Sequence, residues 1–166
     1  GEGIARTDEG FVLFVPQGLP GERVRVAVVE AKRQYAVGHL QEILGPHPRR
    51  VSPPCPWFGA CGGCQIQHAD EILQTELKGA LVQDALTRLG GGVPETGFEA
   101  CRPSSVLWGY RNKAAFPAVF HPSGGLRLGF YREGSHRIVP LRQCPVVDPR
   151  LEGLFISLRP LLEKGA

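Results

Sequence analysis

The sequence predicts a mainly β fold with some α-helix: an OB-like barrel, a cysteine loop followed by a helix, and a central antiparallel β domain. Three observations indicate this order. Short strands of alternating polarity come first, three cysteines then fall within ten residues, and a second group of strands ends at a fourth cysteine. The 22 glycines and 15 prolines among 166 residues favour turns, and the 42% hydrophobic content excludes a disordered chain.

The OB-like barrel is predicted over residues 1–46. Residues 11–15 form an apolar strand candidate that a Gly/Pro cluster closes at 16–21, and apolar residues recur at every second position from Val24 to Val28. Residues 35–44 repeat the strand pattern. Three short strands separated by turns are typical of a small barrel, with a simple β-meander as the alternative.

A linker with the cysteine loop is predicted over 47–68, and a helix over 69–92. Prolines keep the linker extended, and Asp70 is a suitable N-cap for the helix. Gly90–Gly92 is expected to end the helix. Its apolar residues recur at four-residue steps, so we expect core packing along the whole stripe, which comprises Leu73, Leu77, Leu81, Ala85 and Leu89.

The central β domain is predicted over 100–147. Residues 108–120 and 126–132 read as a hairpin whose first strand carries Pro117, and a third strand over 137–141 leads to Cys144. Asp148 followed by proline starts a last helical pattern over 148–166. The chain contains no methionine and stops within that pattern, so we expect it to be a piece of a longer protein.

Four of the five cysteines form a candidate metal site. Cys55, Cys61 and Cys64 share one Gly-rich loop, which can fold tightly around a metal centre. The fourth ligand is either Cys144 or Cys101. Cys144 is preferred because it follows a strand end and precedes a proline, as Cys55 does.

The spacing of these cysteines favours an iron–sulfur cluster over two alternatives. A structural zinc site usually has two Cys-x2-Cys pairs, and this chain has one such pair with a distant fourth ligand. Disulfides are disfavoured by the odd number of cysteines and by the lack of a secretory signal. Zinc and disulfides stay open on spacing alone.

Residues 55–68 resemble the signature of the iron–sulfur RNA (uracil-5-)-methyltransferases, which include 23S ribosomal RNA (uracil-C5)-methyltransferases. Further segments resemble this family in the family's order. Residues 1–6 and 14–22 look like its N-terminal TRAM domain, residues 109–117 and 128–141 look like its central β domain, and residues 143–145 match the place of its fourth cluster ligand.

The resemblance implies a [4Fe-4S] cluster held by Cys55, Cys61, Cys64 and Cys144. It implies that the full-length protein uses S-adenosylmethionine to methylate C5 of a uridine, through a cysteine that adds to C6 of a flipped-out base. The catalytic Rossmann-like domain of the family is missing from this sequence, and Cys101 matches no catalytic motif. We therefore expect no catalytic or S-adenosylmethionine-binding residues in this chain, and no activity from it alone.

RNA, and specifically 23S ribosomal RNA, is the expected partner. Basic side chains that contact phosphates would supply affinity. The candidates are Arg23, Arg25, Lys32, Arg33, Arg111, Lys113, Arg132 and Arg137, with Arg49 and Arg50 in the linker, and Trp57, Phe58, Phe130 and Tyr131 are candidates for stacking on bases. The protein is further expected to be cytoplasmic, monomeric and without a membrane partner.

Two other functions compete with this hypothesis. A free-standing, metal-containing RNA-binding adaptor would share these features without enzyme activity. A radical methylthiotransferase also combines a TRAM domain with a cluster, but it expects Cys-x3-Cys-x2-Cys and the TRAM domain at the other end of the chain.

Overall fold

A computed structural model of the chain describes residues 2–7, 9–92, 97–120 and 125–164. The chain divides into two compact units. The sheet unit comprises residues 1–53 and 66–103, and the cysteine unit comprises residues 54–65 and 104–166. The cysteine loop therefore folds with the later β domain, although the sequence places it between the barrel and the first helix.

The sheet unit is built on four strands in the order β1-β2-β4-β3. The strands are β1 (Glu2–Arg6), β2 (Val12–Pro16), β3 (Arg23–Ala31) and β4 (Tyr35–Gly45). Strands β2 and β4 pair in parallel, and the other pairs are antiparallel. The three strands predicted from alternation are present, and β1 adds a fourth. Among the described strands β1 and β3 stay unpaired at their outer edges, so their hydrogen bonding leaves the sheet open.

Helix α1 (Glu71–Leu89) lies within the predicted range 69–92, after Asp70 and before the glycines at 90–92. The Asp70 carboxylate accepts a hydrogen bond from the backbone N–H of Leu73 at 2.8 Å, which satisfies one of the free donors of the first turn. After the helix, Gly91 has a φ of 77°, a left-handed conformation that favours glycine.

Only the first part of the α1 stripe is buried. Leu73 packs with Leu19 and Ala69, and Leu77 lies against the same cluster. Leu81 and Leu89 are 68% and 89% exposed, so the prediction of a fully buried stripe is wrong. The four-residue periodicity identifies one face of the helix, but burial also needs a facing surface, and the cluster reaches only the first two turns.

The cysteine unit contains a small antiparallel sheet in the order β5-β6-β7. Its elements are β5 (Ala118–Phe120), β6 (Leu126–Tyr131), β7 (Ile138–Pro140) and helix α2 (Pro149–Lys164). Leu126, Leu128 and Phe155 form its core, with Phe116 packed against them. The sheet thus uses α2 to cover one face, and the core lies between them.

The predicted hairpin over 108–120 and 126–132 forms only in part. Its first strand is limited to the three residues of β5, because Pro117 has no N–H and contributes only its carbonyl, which accepts from Gly129 N at 3.3 Å. The turn predicted over 121–125 lies outside the described residues except for Gly125. Helix α2 begins after Asp148 as predicted. Neither described helix has the length and apolar composition of a membrane span.

Candidate metal centre

The cysteine loop is a series of tight turns. The N–H of Phe58 donates to the carbonyl of Cys55 at 3.1 Å, and the N–H of Cys61 donates to the carbonyl of Trp57 at 2.8 Å. Gly59 between them has a φ of 81°, which a side chain would make unfavourable. The turns keep the first two cysteines of the motif on the same short loop.

The loop is anchored to the end of β6. The N–H of Gly62 donates to the carbonyl of Tyr131 at 2.9 Å, and Cys61 forms an antiparallel bridge with Arg132. A Cβ on Gly62 would lie 3.1 Å from the backbone of Glu133. Glycine is therefore used here for close approach of two backbones.

A second turn presents Cys144. Its carbonyl accepts from the N–H of Val147 at 3.0 Å. The segment at Gly109 and Arg111 lies alongside, because their N–H groups donate to the carbonyls of Pro145 and Val146 at 2.9 and 2.8 Å. The N–H of Cys144 itself donates to Oε1 of Glu152, in the first turn of α2, at 2.5 Å.

The four cysteines predicted as ligands lie in the same unit, and each is partly buried. Burial raises the pKa of the Cys61 thiol, the N–H of Gly63 opposes the rise, and the other three thiols add to it. Burial likewise raises the pKa of Cys144, against the N–H groups of Val146 and Val147, and two neighbouring thiols add to it. The four sulfurs are therefore near enough for their charges to interact.

Cys101 lies elsewhere. It belongs to the sheet unit, is exposed, and would be 3.3 Å from a Cβ on Gly79 of helix α1. The choice of Cys144 over Cys101 as the fourth ligand stays a prediction.

Four cysteine thiolates are the donor set that iron–sulfur clusters take. Among the described residues, no group of three or more His, Cys, Asp and Glu side chains is arranged to hold one metal ion. The N–H of Gly63 donates to Sγ of Cys61 at 3.4 Å, the kind of bond that tunes a cluster's potential.

His68 follows the cysteine loop in the sequence but belongs to the other unit. It is 2% exposed and lies in the sheet unit, where its carbonyl accepts from the N–H of Val51. Burial lowers its pKa to about 4, with a further contribution from the charge of Arg50, so it is neutral near pH 7. Its burial is that of a core side chain.

The predicted RNA-contacting side chains fall into two groups. In the sheet unit, Arg25 pairs with Glu42, and Lys32 pairs with Glu30 at 2.8 Å. Arg23 and Arg33 are exposed on the same unit. Part of the positive charge in this group is therefore already compensated by neighbouring carboxylates.

The second group lies in the cysteine unit. Lys113, Arg132 and Arg137 are exposed, and the guanidinium of Arg111 lies 5.9 Å from the ring centre of Phe130. Arg132 and Arg137 flank the turn between β6 and β7, and the N–H of Arg132 donates to the carbonyl of Arg137 at 2.8 Å. The cysteine loop and these two arginines therefore share one end of the small sheet.

The aromatic candidates near the cysteine loop differ in accessibility. Phe130 packs on Phe116 at 4.8 Å between ring centres, so it serves the core. Tyr131 is 44% exposed and meets His136 edge-on at 5.5 Å. Trp57 and Phe58 are half-buried. Tyr131 is thus the ring of this group that is most available to a base.

Sequence reasoning missed two carboxylates and misassigned one arginine. Arg50 was expected to contact phosphate, but it forms an ion pair with Glu22 at 2.5 Å, and the Glu22 side chain is 1% exposed. Glu152 was also missed. A single charged residue is a weak signal, because the sequence does not identify a partner that is distant along the chain.

Known proteins resemble this chain over its N-terminal segment and over nearly its whole length. Residues 1–40 match the TRAM domain family. The chain is 43% identical over 163 residues to an uncharacterized RNA methyltransferase of Synechocystis, covering 98% of this chain and 35% of that protein. It is 39% identical over 168 residues to the 23S rRNA (uracil(1939)-C(5))-methyltransferase RlmD of Pectobacterium atrosepticum, covering 99% and 36% respectively.

A solved structure agrees with these relatives. The Pyrococcus abyssi tRNA (uracil-54, C5)-methyltransferase, in complex with S-adenosyl-L-homocysteine, superposes with a TM-score of 0.60 at 26% identity, over 99% of this chain and 37% of that one. The chain thus spans about a third of the length of the relatives it matches. With about 40% identity over nearly its whole length, it belongs to the RNA methyltransferase family that includes the 23S rRNA uracil-C5 enzymes.

Proposed function

We propose that this chain is the RNA-recognition and cluster-holding part of an enzyme that forms 5-methyluridine in ribosomal RNA from S-adenosylmethionine. The convergence of Cys55, Cys61, Cys64 and Cys144 within one unit carries the cluster half of the proposal. The relatives named as uracil-C5 methyltransferases support the reaction, and the neighbour bound to S-adenosyl-L-homocysteine supports the methyl donor.

The proposed cluster gives the four cysteines of this chain a role as ligands. The four thiolates would hold a [4Fe-4S] cluster, which ties the cysteine loop to the turn after β7 and can supply electron transfer when bound. Because Gly62 already bonds to the end of β6, the cluster would fix both ligand segments to one small sheet. We propose a structural role that also positions the RNA-facing loops.

The RNA half rests on exposed cations beside this sheet. Arg132 and Arg137 would contact phosphates and Tyr131 would stack on an unpaired base, within a positive surface whose affinity falls with salt. Methyl transfer itself would need residues outside this chain, so the chain alone is proposed to be inactive. The protein that contains it is proposed to act on 23S ribosomal RNA as a cytoplasmic monomer.

Anaerobic purification with iron and sulfide analysis tests the cluster. The wild-type chain should be brown and hold about four iron and four sulfide per chain. Cys144→Ala should lose the chromophore and unfold residues 100–147, whereas Cys101→Ala should keep both. A colourless protein with stoichiometric zinc, or full iron in Cys144→Ala, would contradict the proposal.

RNA binding is tested by titrating a ribosomal RNA fragment at several salt concentrations. Arg132→Ala with Arg137→Ala should weaken binding and reduce the salt dependence by about two ions. Arg88→Ala is the matched control, because Arg88 lies on α1 and pairs with Asp84. Equal affinity for the double variant and the wild-type chain would contradict the assigned surface.

The enzymatic half is tested on the longer protein of which this chain would be a part. Deleting its gene should remove one 5-methyluridine from ribosomal RNA, as measured by mass spectrometry of nuclease digests. An unchanged methylation pattern together with retained RNA binding would favour the adaptor without enzyme activity.

A further inference from the structure

Glu152 contacts the backbone of a proposed cluster ligand. Its Oε1 accepts a hydrogen bond from the N–H of Cys144 at 2.5 Å, across eight residues of sequence. The contact follows from the start of α2, because the N–H of Glu152 donates to the carbonyl of Asp148 at 3.0 Å and so fixes Glu152 in the first helical turn. Helical side chains lean toward the N-terminus, which carries this carboxylate back over the Cys144 turn.

Glu152 has no cationic partner among the described residues. The salt bridges of α2 instead join Arg150 to Asp148 and Arg159 to Glu163. The Glu152 side chain also lines a small cavity with Phe116, Leu141 and Phe155, so much of its surroundings is apolar. A half-buried carboxylate in such a place is costly unless it is hydrogen-bonded, and the Cys144 N–H supplies that bond.

The rest of the Cys144 turn is held by other groups. Pro145 and Val146 accept from the segment at Gly109 and Arg111, and Val147 bonds back to the carbonyl of Cys144. The N–H of Cys144 donates to the Glu152 carboxylate. Removing this carboxylate would therefore loosen the turn at the ligand itself while the residues after it stay paired.

We propose that Glu152 is a positioning residue for the fourth cluster ligand. It orients the Cys144 turn so that the thiolate meets the cluster that Cys55, Cys61 and Cys64 hold, which rests on the cluster proposed above. Hydrogen-bonded groups behind a metal ligand orient that ligand and strengthen metal binding. The negative charge of Glu152 also lies beside the site, which lowers the reduction potential of a cluster there.

Three variants of the wild-type chain test this role after anaerobic reconstitution with iron and sulfide. Glu152→Ala removes both the acceptor and the charge, and Glu152→Gln keeps an oxygen acceptor but removes the charge. Glu163→Gln is the matched control, since it removes a charge from the far end of the same helix. The readouts are the rate of iron loss to a chelator and the reduction potential of the cluster.

Glu152→Ala should lose iron roughly tenfold faster than the wild-type chain, as changes behind metal ligands typically do. Glu152→Gln should lose iron at about the wild-type rate because the hydrogen bond is kept, and its potential should rise. Glu163→Gln should change neither. If Glu152→Ala fails to fold, the comparison of Glu152→Gln with Glu163→Gln still tests whether Glu152 lies beside the cluster, because only the loss of a nearby negative charge raises the potential.

The outcomes separate this inference from the proposal beneath it. A stable cluster in Glu152→Ala would overturn the positioning role, and a potential in Glu152→Gln equal to that of the control would overturn the placement of the Glu152 charge beside the cluster. Either result leaves the cluster itself standing. A wild-type chain that binds no iron and sulfide would overturn both.

Discussion

In the sheet unit, an ion pair between Glu22 and Arg50 joins the loop before β3 to the linker after β4. In the cysteine unit, the cysteine loop is instead joined to the end of β6 by backbone hydrogen bonds. Glu22 accepts from Arg50 and from the N–H groups of Leu19 and His47, and Arg50 also donates to the carbonyl of Gln17 at 2.7 Å. The buried Glu22 carboxylate is therefore paired by groups of the sheet unit itself.

The cysteine unit is connected in a different way. Strands β5 and β7 have three residues each, and four half-buried thiols lie in this unit. Small units with short strands are commonly reinforced by metal centres. One unit is thus stabilised by an ion pair between side chains, and the other is proposed to be stabilised by a cofactor. The two units should therefore respond differently to the same perturbation.

Removing the proposed cluster should have the largest effect and should act on one unit. A chelator added to the reconstituted chain should abolish protection of the amides of Gly62, Arg111 and Val147 from hydrogen exchange, because the donor or the acceptor of each bond lies on a ligand segment. The amides of α1 should keep their protection. Equal loss of amide protection in both units would contradict this difference between them.

Glu22→Gln should break the connection in the sheet unit. Burial alone would raise the pKa of Glu22, but hydrogen bonds from Arg50, His47 and Leu19 outweigh it and lower the pKa to about 2. A carboxylate held in this way contributes about 3 kcal/mol at pH 7. The contribution is present above the ordinary pKa of 4.5 and is lost as pH falls toward 2.

Denaturant unfolding at pH 7, 4 and 3 measures this effect. Stability of the wild-type sheet unit should fall across that range, and Glu22→Gln should be less stable at pH 7 with a flatter pH profile. Glu42→Gln is the control, because Glu42 belongs to an exposed pair with Arg25 and should change little. An unchanged pH profile in Glu22→Gln would contradict the role of the ion pair.

Gly62→Ala should weaken the anchoring of the cysteine loop. The added methyl group would meet the backbone of Glu133 at 3.1 Å, and backbone cannot move aside as a flexible side chain can. Overpacking of this kind costs about 1–3 kcal/mol. Thermal unfolding of the cysteine unit, together with iron content, measures the cost, and a variant as stable as the wild-type chain would show that the loop is not held against β6.

Gly153→Ala should give the smallest effect, in the opposite direction. Gly153 lies within α2, and a Cβ there meets nothing within 4 Å. Replacing a mid-helix glycine by alanine should stabilise the cysteine unit by about 0.5–1 kcal/mol. Comparison with Gly62→Ala in the same unit separates two roles of glycine: the conformational freedom lost on folding, and the close approach of two backbones. Destabilisation by Gly153→Ala would imply an unrecognised contact of that helix face.

Local chemistry explains which features could be read from the sequence. The Asp70 cap, the glycines after α1 and the Asp148–Pro149 helix start are signals contained within a few residues, and each appears in the structure as predicted. The cysteines were likewise recognisable by spacing and by the prolines beside them. Strand lengths were harder, because Pro117 limits β5 through a ladder that forms only with β6.

The sequence by itself determined the order of the elements, the caps of both helices and the identity of the four candidate ligands, because these depend on neighbouring residues. The tertiary structure was needed to show that only the first two turns of α1 are buried, that Arg50 pairs with Glu22, and that the N–H of Cys144 donates to Glu152. Each of these depends on groups distant along the chain, and a long-range partner leaves no periodic or local signal by which it can be recognised.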